Sequence, residues 1–533
     1  MLIRYPAIAV LSTVALATLN PIVALAAPKA ADAFTTVTRD GVPIRYQRVA
    51  AKVTVPAPGA GAASADFDGD GADDVAAASV GGVIVHYSSA PWRDYLAAPR
   101  GGTVTLGESL ATGDFDGDGY DDLVVSSPDE VDPKTKKSAG GLWIVPGSSA
   151  GLKIDGIRHL NQSSAGVPGT SAAEDRFAAD LAVGDLDADG DDDLAVGVPG
   201  KTVRSARAAG EVLVLLGGPS GISTTAVVRL DQSHASIPGT PEAGDSFGAR
   251  LAIGQFNQDD YADLVIGTPW ENDTVPTTGV GMINVVPGGV NGVDVRDVSS
   301  LTAASINKLK RGVSTGQVGS AIVLADVDGA GRKEIVLGDG QASVGRRDEA
   351  GAVYAVSAGK TGVLTDRLTI ITQDTVGVPG NAETYDGFGT AVAAGDVTGD
   401  GYADVLVGTP GEDIGVRSQA GAATLLRGTA KGLTGTGAQA VDRTSAGSPH
   451  KPRDFEWFGS EVAVLNLDRV AGFDALVGAP GDDPMSNSDF AYGTVTQYAG
   501  SARGLSKPSL TSGRALQIAG MDISAYGVTL VSP

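Results

Sequence analysis

The chain has 533 residues, with 63 acidic against 39 basic side chains, 75 glycines, 5% aromatic residues and no cysteine. A formal net charge of −24 repels phosphate, which argues against nucleic acid and anionic membrane surfaces as partners. The missing cysteine excludes disulfide frameworks, thiolate zinc sites and a cysteine nucleophile, and 42% apolar with 19% charged residues is a globular rather than a disordered balance.

Taken from the start, Arg4 precedes a short apolar stretch from Ala7 to Leu19, and Ala24-Leu25-Ala26 offers small residues for cleavage. Residues 1–26 therefore read as a secretory signal peptide, so the mature chain is expected outside the cell, with no insertion into a membrane. Residues 27–57 contain loose strand patterns that are candidates for closing a ring. From residue 58 to 533 a single plan repeats. A nine-residue acidic pattern begins at Asp66, Asp114, Asp185, Gln255, Asp326, Asp396 and Asn466, with spacings of 48, 71, 70, 71, 70 and 70.

Two more markers keep the same phase, so the repeating unit is a whole module and not only a loop. Eight residues before each loop stands a pair whose second member is usually glycine, such as Phe247-Gly248, Phe388-Gly389 and Phe458-Gly459. About 33 residues after each loop start, in copies two to seven, comes a glycine-rich turn such as PGSSAGL or LGGPSGI. Between the markers lie short runs rich in valine, leucine and isoleucine, bounded by Gly, Pro and Asp, which read as strands. Four such runs per copy, seven times over, predict an all-β, seven-bladed β-propeller of about 70-residue repeats, and the tail AYGVTLVSP, which restarts a module, leaves room for a partial eighth blade. A β-helix fits less well, because 70 residues is long for one coil.

The loops carry the chemistry. In copy one, Asp66, Asp68, Asp70 and Asp74 occupy positions 1, 3, 5 and 9, with Gly71 at position 6. Alternate carboxylates in a tight turn converge on one point, and hard, oxygen-only coordination suits Ca²⁺. An EF-hand would need glutamate at position 12, where Ala77, Val125, Val196 and Val407 stand, and flanking helices where strands are expected. Copies two and three are equally complete, with Asp114, Asp116, Asp118 and Asp122, then Asp185, Asp187, Asp189 and Asp193. Copy six keeps Asp396, Asp400 and Asp404 but has Thr398 at position 3, a neutral oxygen and a weaker fourth site. Copies four, five and seven are decayed and are left as doubtful. The plainer reading of any one loop is a solvated Asx turn. Phase across the copies favours metal, since like charges crowded into one loop need a compensating cation.

The order FG, strand, Asp-rich loop, strand and Gly-Ala-Pro resembles the FG-GAP repeat of the integrin α-subunit N-terminal propeller. The clearest copies are Phe388-Gly389 with DVTGDGYAD, and Phe458-Gly459 with Gly478-Ala479-Pro480. The full period also resembles secreted FG-GAP proteins of actinobacteria. The resemblance covers residues 58 to 525 and implies Ca²⁺ held by the loop carboxylates and a role in extracellular recognition or adhesion. The chain departs from it at Phe177-Ala178, at Val318-Gly319 and in the decayed loops.

Enzymatic readings are weaker. GxSxG matches at Gly147 to Gly151, Gly244 to Gly248 and Gly312 to Gly316 are cheap in a glycine-rich chain and lack the strand-to-helix step of a nucleophile elbow. His86, His159, His234 and His450 share no phase and read as surface or turn residues. Asp129, Glu130 and Asp132, or Glu412 and Asp413, could form an acid pair but read as solvated loop charge. Trp270 and Trp457 sit in loops where a sugar could stack, although burial between blades is the plainer expectation. The expectation is thus a non-catalytic, monomeric Ca²⁺ propeller that recognises an extracellular protein or glycan through insertions such as Asp129 to Ala139, Val203 to Ala209 and Pro484 to Tyr492. The alternative is a polysaccharide lyase or hydrolase, or a lectin, on the same scaffold.

Overall fold

The computed structural model describes residues 12–13, 34–50, 65–71, 73–79, 82–87, 92–98, 106–257, 259–272, 281–309, 312–359, 362–363, 367–445, 448, 451–466, 472–481, 494–506, 508–512 and 528–529. The expected signal peptide lies outside them, apart from Ser12–Thr13, which pairs in parallel with Val528–Thr529.

Copy two shows the plan. Strands Leu110–Gly113, Asp122–Ser127, Gly141–Val145 and Arg158–Leu160 form one antiparallel sheet in chain order. Its second and third strands are buried along their whole length, because neighbouring sheets cover both faces, and this explains why those runs are continuously apolar rather than alternating. Four-stranded sheets recur with inner strands Asp180–Gly184, Arg250–Gly254, Ala321–Ala325, Val392–Gly395 and Val462–Leu465. Inner strands of successive copies lie side by side from Leu110–Gly113 to Val462–Leu465. The architecture is an all-β propeller type, and the one α-helix among the described residues is Ala303–Asn307.

Two apolar positions per copy lock each sheet to the next. Phe177, Phe247, Phe388 and Phe458 are 0% exposed, and their N–H groups donate to the carbonyls of Ala139, Ala209, Ala350 and Ala420 in the preceding copy. This is the role of the aromatic marker. Position 2 of the acidic loop supplies the other plug: Phe67, Phe115, Leu186, Phe256, Val327 and Val397 are all buried.

The first sheet differs from the rest. Val75–Ser79, Gly82–His86 and Trp92–Ala97 are extended at the outer edge by Val42–Ala50 and Thr35–Arg39. The described part of residues 27–57 therefore widens one sheet at its outer edge. What meets the seventh copy is the first loop, where Asn466 N–H donates to Asp73 Oδ2 at 3.1 Å. In the other copies the position-8 N–H donates to the position-1 carbonyl of the copy before, from Asp121 to Asp66 at 3.2 Å through to Phe473 to Asp396 at 2.8 Å. Val528–Thr529 lies beside Val75–Ser79, so the tail that restarts a module comes up against the first sheet.

Candidate metal centres

Among the described residues, five of the loops begin as a backbone-capping turn. Both carboxylate oxygens at position 1 accept the N–H groups of positions 5 and 6: Asp66 from Asp70 and Gly71 at 2.9 and 2.7 Å, and Asp114 from Asp118 and Gly119 at 3.1 and 2.8 Å. Asp185, Asp326 and Asp396 do the same. In copy three position 9 is bonded on both oxygens too. Asp193 Oδ2 accepts from Leu186 N at 2.9 Å, and its Oδ1 from Gly217 N at 2.9 Å. Gly217 belongs to the glycine-rich turn after the third strand, and Gly147, Gly288, Gly428 and Gly500 donate equivalently to Asp122, Asp263, Asp404 and Asp474. This bond explains why turn and loop keep one phase.

Position 3 of copies two and three differs. Asp116 Oδ1 and Asp187 Oδ1 are buried atoms with no hydrogen-bond partner, and they face other carboxylates. Four groups among the described residues have ligand atoms within 4.8 Å of one another and could hold a metal ion: Asp66 with Asp68 and Asp70, Asp114 with Asp116 and Asp118, Asp185 with Asp187 and Asp193, and Asp326 with Asp328 and Glu334. Asp74, Asp122 and Asp189 stand outside these triplets. Burial pushes Asp122 and Asp193 up to about 7, with the neighbouring carboxylates adding to the shift. Burial likewise raises Asp116 and Asp187, with Asp118 and Asp189 next in weight. Unpartnered inward oxygens, an all-oxygen donor set and mutual repulsion together fit a hard divalent cation.

The weaker copies separate differently from the sequence expectation. Copy five, set aside as doubtful, does bring Asp326, Asp328 and Glu334 together, and burial pushes Glu334 up to about 7. Copy six does not gather Asp396, Asp400 and Asp404 into such a group; the buried Thr398 hydroxyl lies beside Asp404, and Arg427 Nη1 stands 3.6 Å from Asp404 Oδ2. A built-in guanidinium there supplies part of the positive charge that an ion would bring. In copy four, Asn257 Nδ2 donates to Asp263 Oδ1 at 2.8 Å and Gln255 to the Asp259 carbonyl, so amide hydrogens satisfy the loop. Asp468 and Val470 of copy seven lie outside the described residues.

The other candidates resolve as structure. His159 is a buried strand residue, not a surface one, and Glu130 Oε1 lies 2.7 Å from its Nε2. Asp132 is fully buried and caps its loop through the Lys134 N–H at 2.7 Å, and Glu412 accepts from Gln373 at 2.6 Å. These carboxylates are committed partners rather than a solvated pair. Trp143 is buried, Trp270 is 48% exposed, and residues 484–492 lie outside the described set. The sequence reading missed positions 2 and 8 of the loop; the apolar residue at position 2 in all seven copies was the available signal for the first.

Comparison with known proteins agrees with this geometry. The FG-GAP repeat profile matches residues 106–145, 177–215 and 388–426, and an FG-GAP-like repeat profile matches residues 66–125. Integrin alpha-5 of Xenopus laevis is 27% identical over 243 residues, 44% of this chain and 20% of that protein. Phosphatidylinositol-glycan-specific phospholipase D of Bos taurus is 28% identical over 165 residues, 31% of this chain and 18% of that protein. Human integrin alpha-6 is 27% identical over 130 residues, 24% of this chain and 10% of that protein. The chain thus spans a fifth or less of the length of these curated relatives. A solved rhamnogalacturonan lyase of Bacillus licheniformis superposes on 66% of this chain and 64% of its own, at 14% identity and a TM-score of 0.32, a likeness from which nothing is inferred. No helix among the described residues is long and apolar enough to cross a membrane.

Proposed function

We propose that this chain, which carries FG-GAP repeats and is homologous to integrin α subunits, is a secreted, Ca²⁺-stabilised seven-bladed propeller that recognises an extracellular protein or glycan as a monomer and catalyses nothing itself. The observation that carries the reading is the pair of partnerless inward oxygens on Asp116 and Asp187, each in a cluster of carboxylates at the same place in successive copies. Asp66, Asp68 and Asp70, Asp114, Asp116 and Asp118, and Asp185, Asp187 and Asp193 are the residues that would hold the ions, with the copy-five triplet as the fourth set. When bound, Ca²⁺ would supply charge compensation and rigidity, not reactivity.

Recognition then falls to the opposite end of the strands, where the connections before each inner strand and after each second strand gather; scaffold-held loops are where binding concentrates. The hydrogen bonds of Glu130, Asp132 and Glu412, the first two of them buried, speak against an acid pair there. Calorimetric titration of chelated protein with Ca²⁺ tests the metal reading, and capture of matrix proteins and glycans with and without chelator tests recognition. No heat of binding sinks the first, and capture that ignores the chelator unlinks the second from it.

A further inference from the structure

The residue three places before each marker pair is held in the left-handed region and projects from the same end of the propeller in every copy where it is seen that way. It is Glu174 in copy three with φ 69°, Gly244 in copy four with φ 95°, Tyr385 in copy six with φ 72° and Phe455 in copy seven with φ 61°. Glu174 shows how outward the position points, since its side chain is 81% exposed. Copies six and seven, adjacent in the ring, put aromatic rings there: Tyr385 is 49% and Phe455 53% exposed.

One loop joins the two. Gly411 N–H donates to the carbonyl of Asp386, next to Tyr385, and the other end of that loop offers the Ser418 carbonyl to Phe455 N–H at 2.8 Å. Between them Val416 is 92% exposed. Trp457 stands edge-on to Phe455 with ring centroids 6.4 Å apart, and its indole N–H donates to Gln419 Oε1 at 3.2 Å. Backbone bonds hold Tyr385 N–H to the Asp348 carbonyl and Trp457 N–H to the Gln419 carbonyl, so the rings are presented on a fixed frame.

We propose that Tyr385, Val416, Phe455 and Trp457 form a strip that binds a linear, uncharged polysaccharide. The inference deepens the recognition reading and rests on it. Phe455 and Trp457 pack edge-on, Asp413, Arg417 and Asp454 stand in the same segments, and Arg417 pairs with Asp454 at 3.3 Å. The centre of a protein interface is depleted of charge, whereas a sugar chain wants this mixture, with ring faces on aromatic groups and hydroxyls on carboxylate and guanidinium. Two exposed rings in adjacent copies suit a polymer, which can reach both, better than a single small molecule. The net charge of −24 disfavours uronate-rich chains.

The test is native affinity electrophoresis of the full chain in Ca²⁺, through gels containing xyloglucan, galactomannan, mixed-linkage β-glucan or polygalacturonate, with Trp fluorescence as a second readout. At least one neutral polymer should retard the protein. Tyr385→Ala and Phe455→Ala should each weaken binding about 3- to 10-fold, the scale of one aromatic contact, while Glu174→Ala leaves it unchanged and Phe455→Tyr restores it. Absence of retardation by every neutral polymer, retardation by polygalacturonate alone, or alanine variants that melt and bind like the parent would each overturn the proposal. Ca²⁺ titration reads none of these residues, so its failure and this one are separable.

Discussion

At the scale of single residues, the acidic loops hold two kinds of carboxylate. Positions 1 and 9 are tied to backbone N–H groups and would be needed for the turn with or without a metal. Position 3 in copies two and three has an oxygen that no protein group meets. Asp116→Asn should therefore weaken Ca²⁺ binding at its site by about tenfold or more, about 1.4 kcal/mol, yet leave the metal-free melting temperature level or slightly raised. Calorimetry together with melts in chelator checks both halves, and a metal-free variant that melts well below its parent would mean that Asp116 is structural. The same crowding gives a pH dependence. Burial holds the Asp122 and Asp193 carboxyls up to about 7, so the folded, metal-free protein keeps protons that the unfolded chain, with carboxyls near 3.9, has released. Their contribution is then most favourable below about pH 4 and is lost as pH rises to about 7. The gap in melting temperature between Ca²⁺-loaded and chelated protein should widen between pH 5 and pH 8; a gap that narrows would contradict the burial of these groups.

At the scale of elements, what joins one sheet to the next is a close backbone crossing. Gly421, at the start of a third strand, has φ 83°, and a Cβ there would lie 2.1 Å from the Phe458 carbonyl oxygen of the next copy. Gly401, at position 6 of the sixth loop, has φ 89° but nothing within 4 Å of a Cβ. Gly401→Ala should cost about 1 kcal/mol through backbone conformation alone, whereas Gly421→Ala should cost about 3 kcal/mol or more, since a clash adds to the strain. Urea melts of the pair decide this, and equal costs would show that the crossing is soft. Phe458→Ala should cost about 3 to 5 kcal/mol, because its ring fills the gap between two sheets. The strands themselves were legible, because short Val, Leu and Ile runs between Gly, Pro and Asp have few other readings. Position 2 of the loop was not recognised as core, since one apolar residue among four carboxylates reads as part of a polar turn until the neighbouring sheet is in place.

At the scale of the whole molecule, the loops form a relay in which each copy bonds to the one before, and the Asn466 to Asp73 bond brings the last to the first. Ions bound at several points of such a ring should act on one cooperative unit. With four sites occupied at about 100 times Kd, each adds about 2.7 kcal/mol, so the chelated protein should melt at least 10 °C lower, at the few degrees per kcal/mol expected of a large domain. Differential scanning calorimetry checks it, and coincident melts would remove Ca²⁺ from the account of stability.

The sequence by itself determined the module, its phase and the loop chemistry, because short apolar strand runs, turn glycines and Asp spacing are local properties that repetition makes unmistakable. Only the tertiary structure decided which carboxylates are left for a cation. Copy five gathers a triplet through Glu334, copy six is met by Arg427, and copy four is closed by its own amides, and each outcome depends on side chains reaching in from outside the motif or turning within it. It also put Tyr385 and Phe455 on one face, since equivalent positions 70 residues apart become neighbours only when the sheets stand side by side.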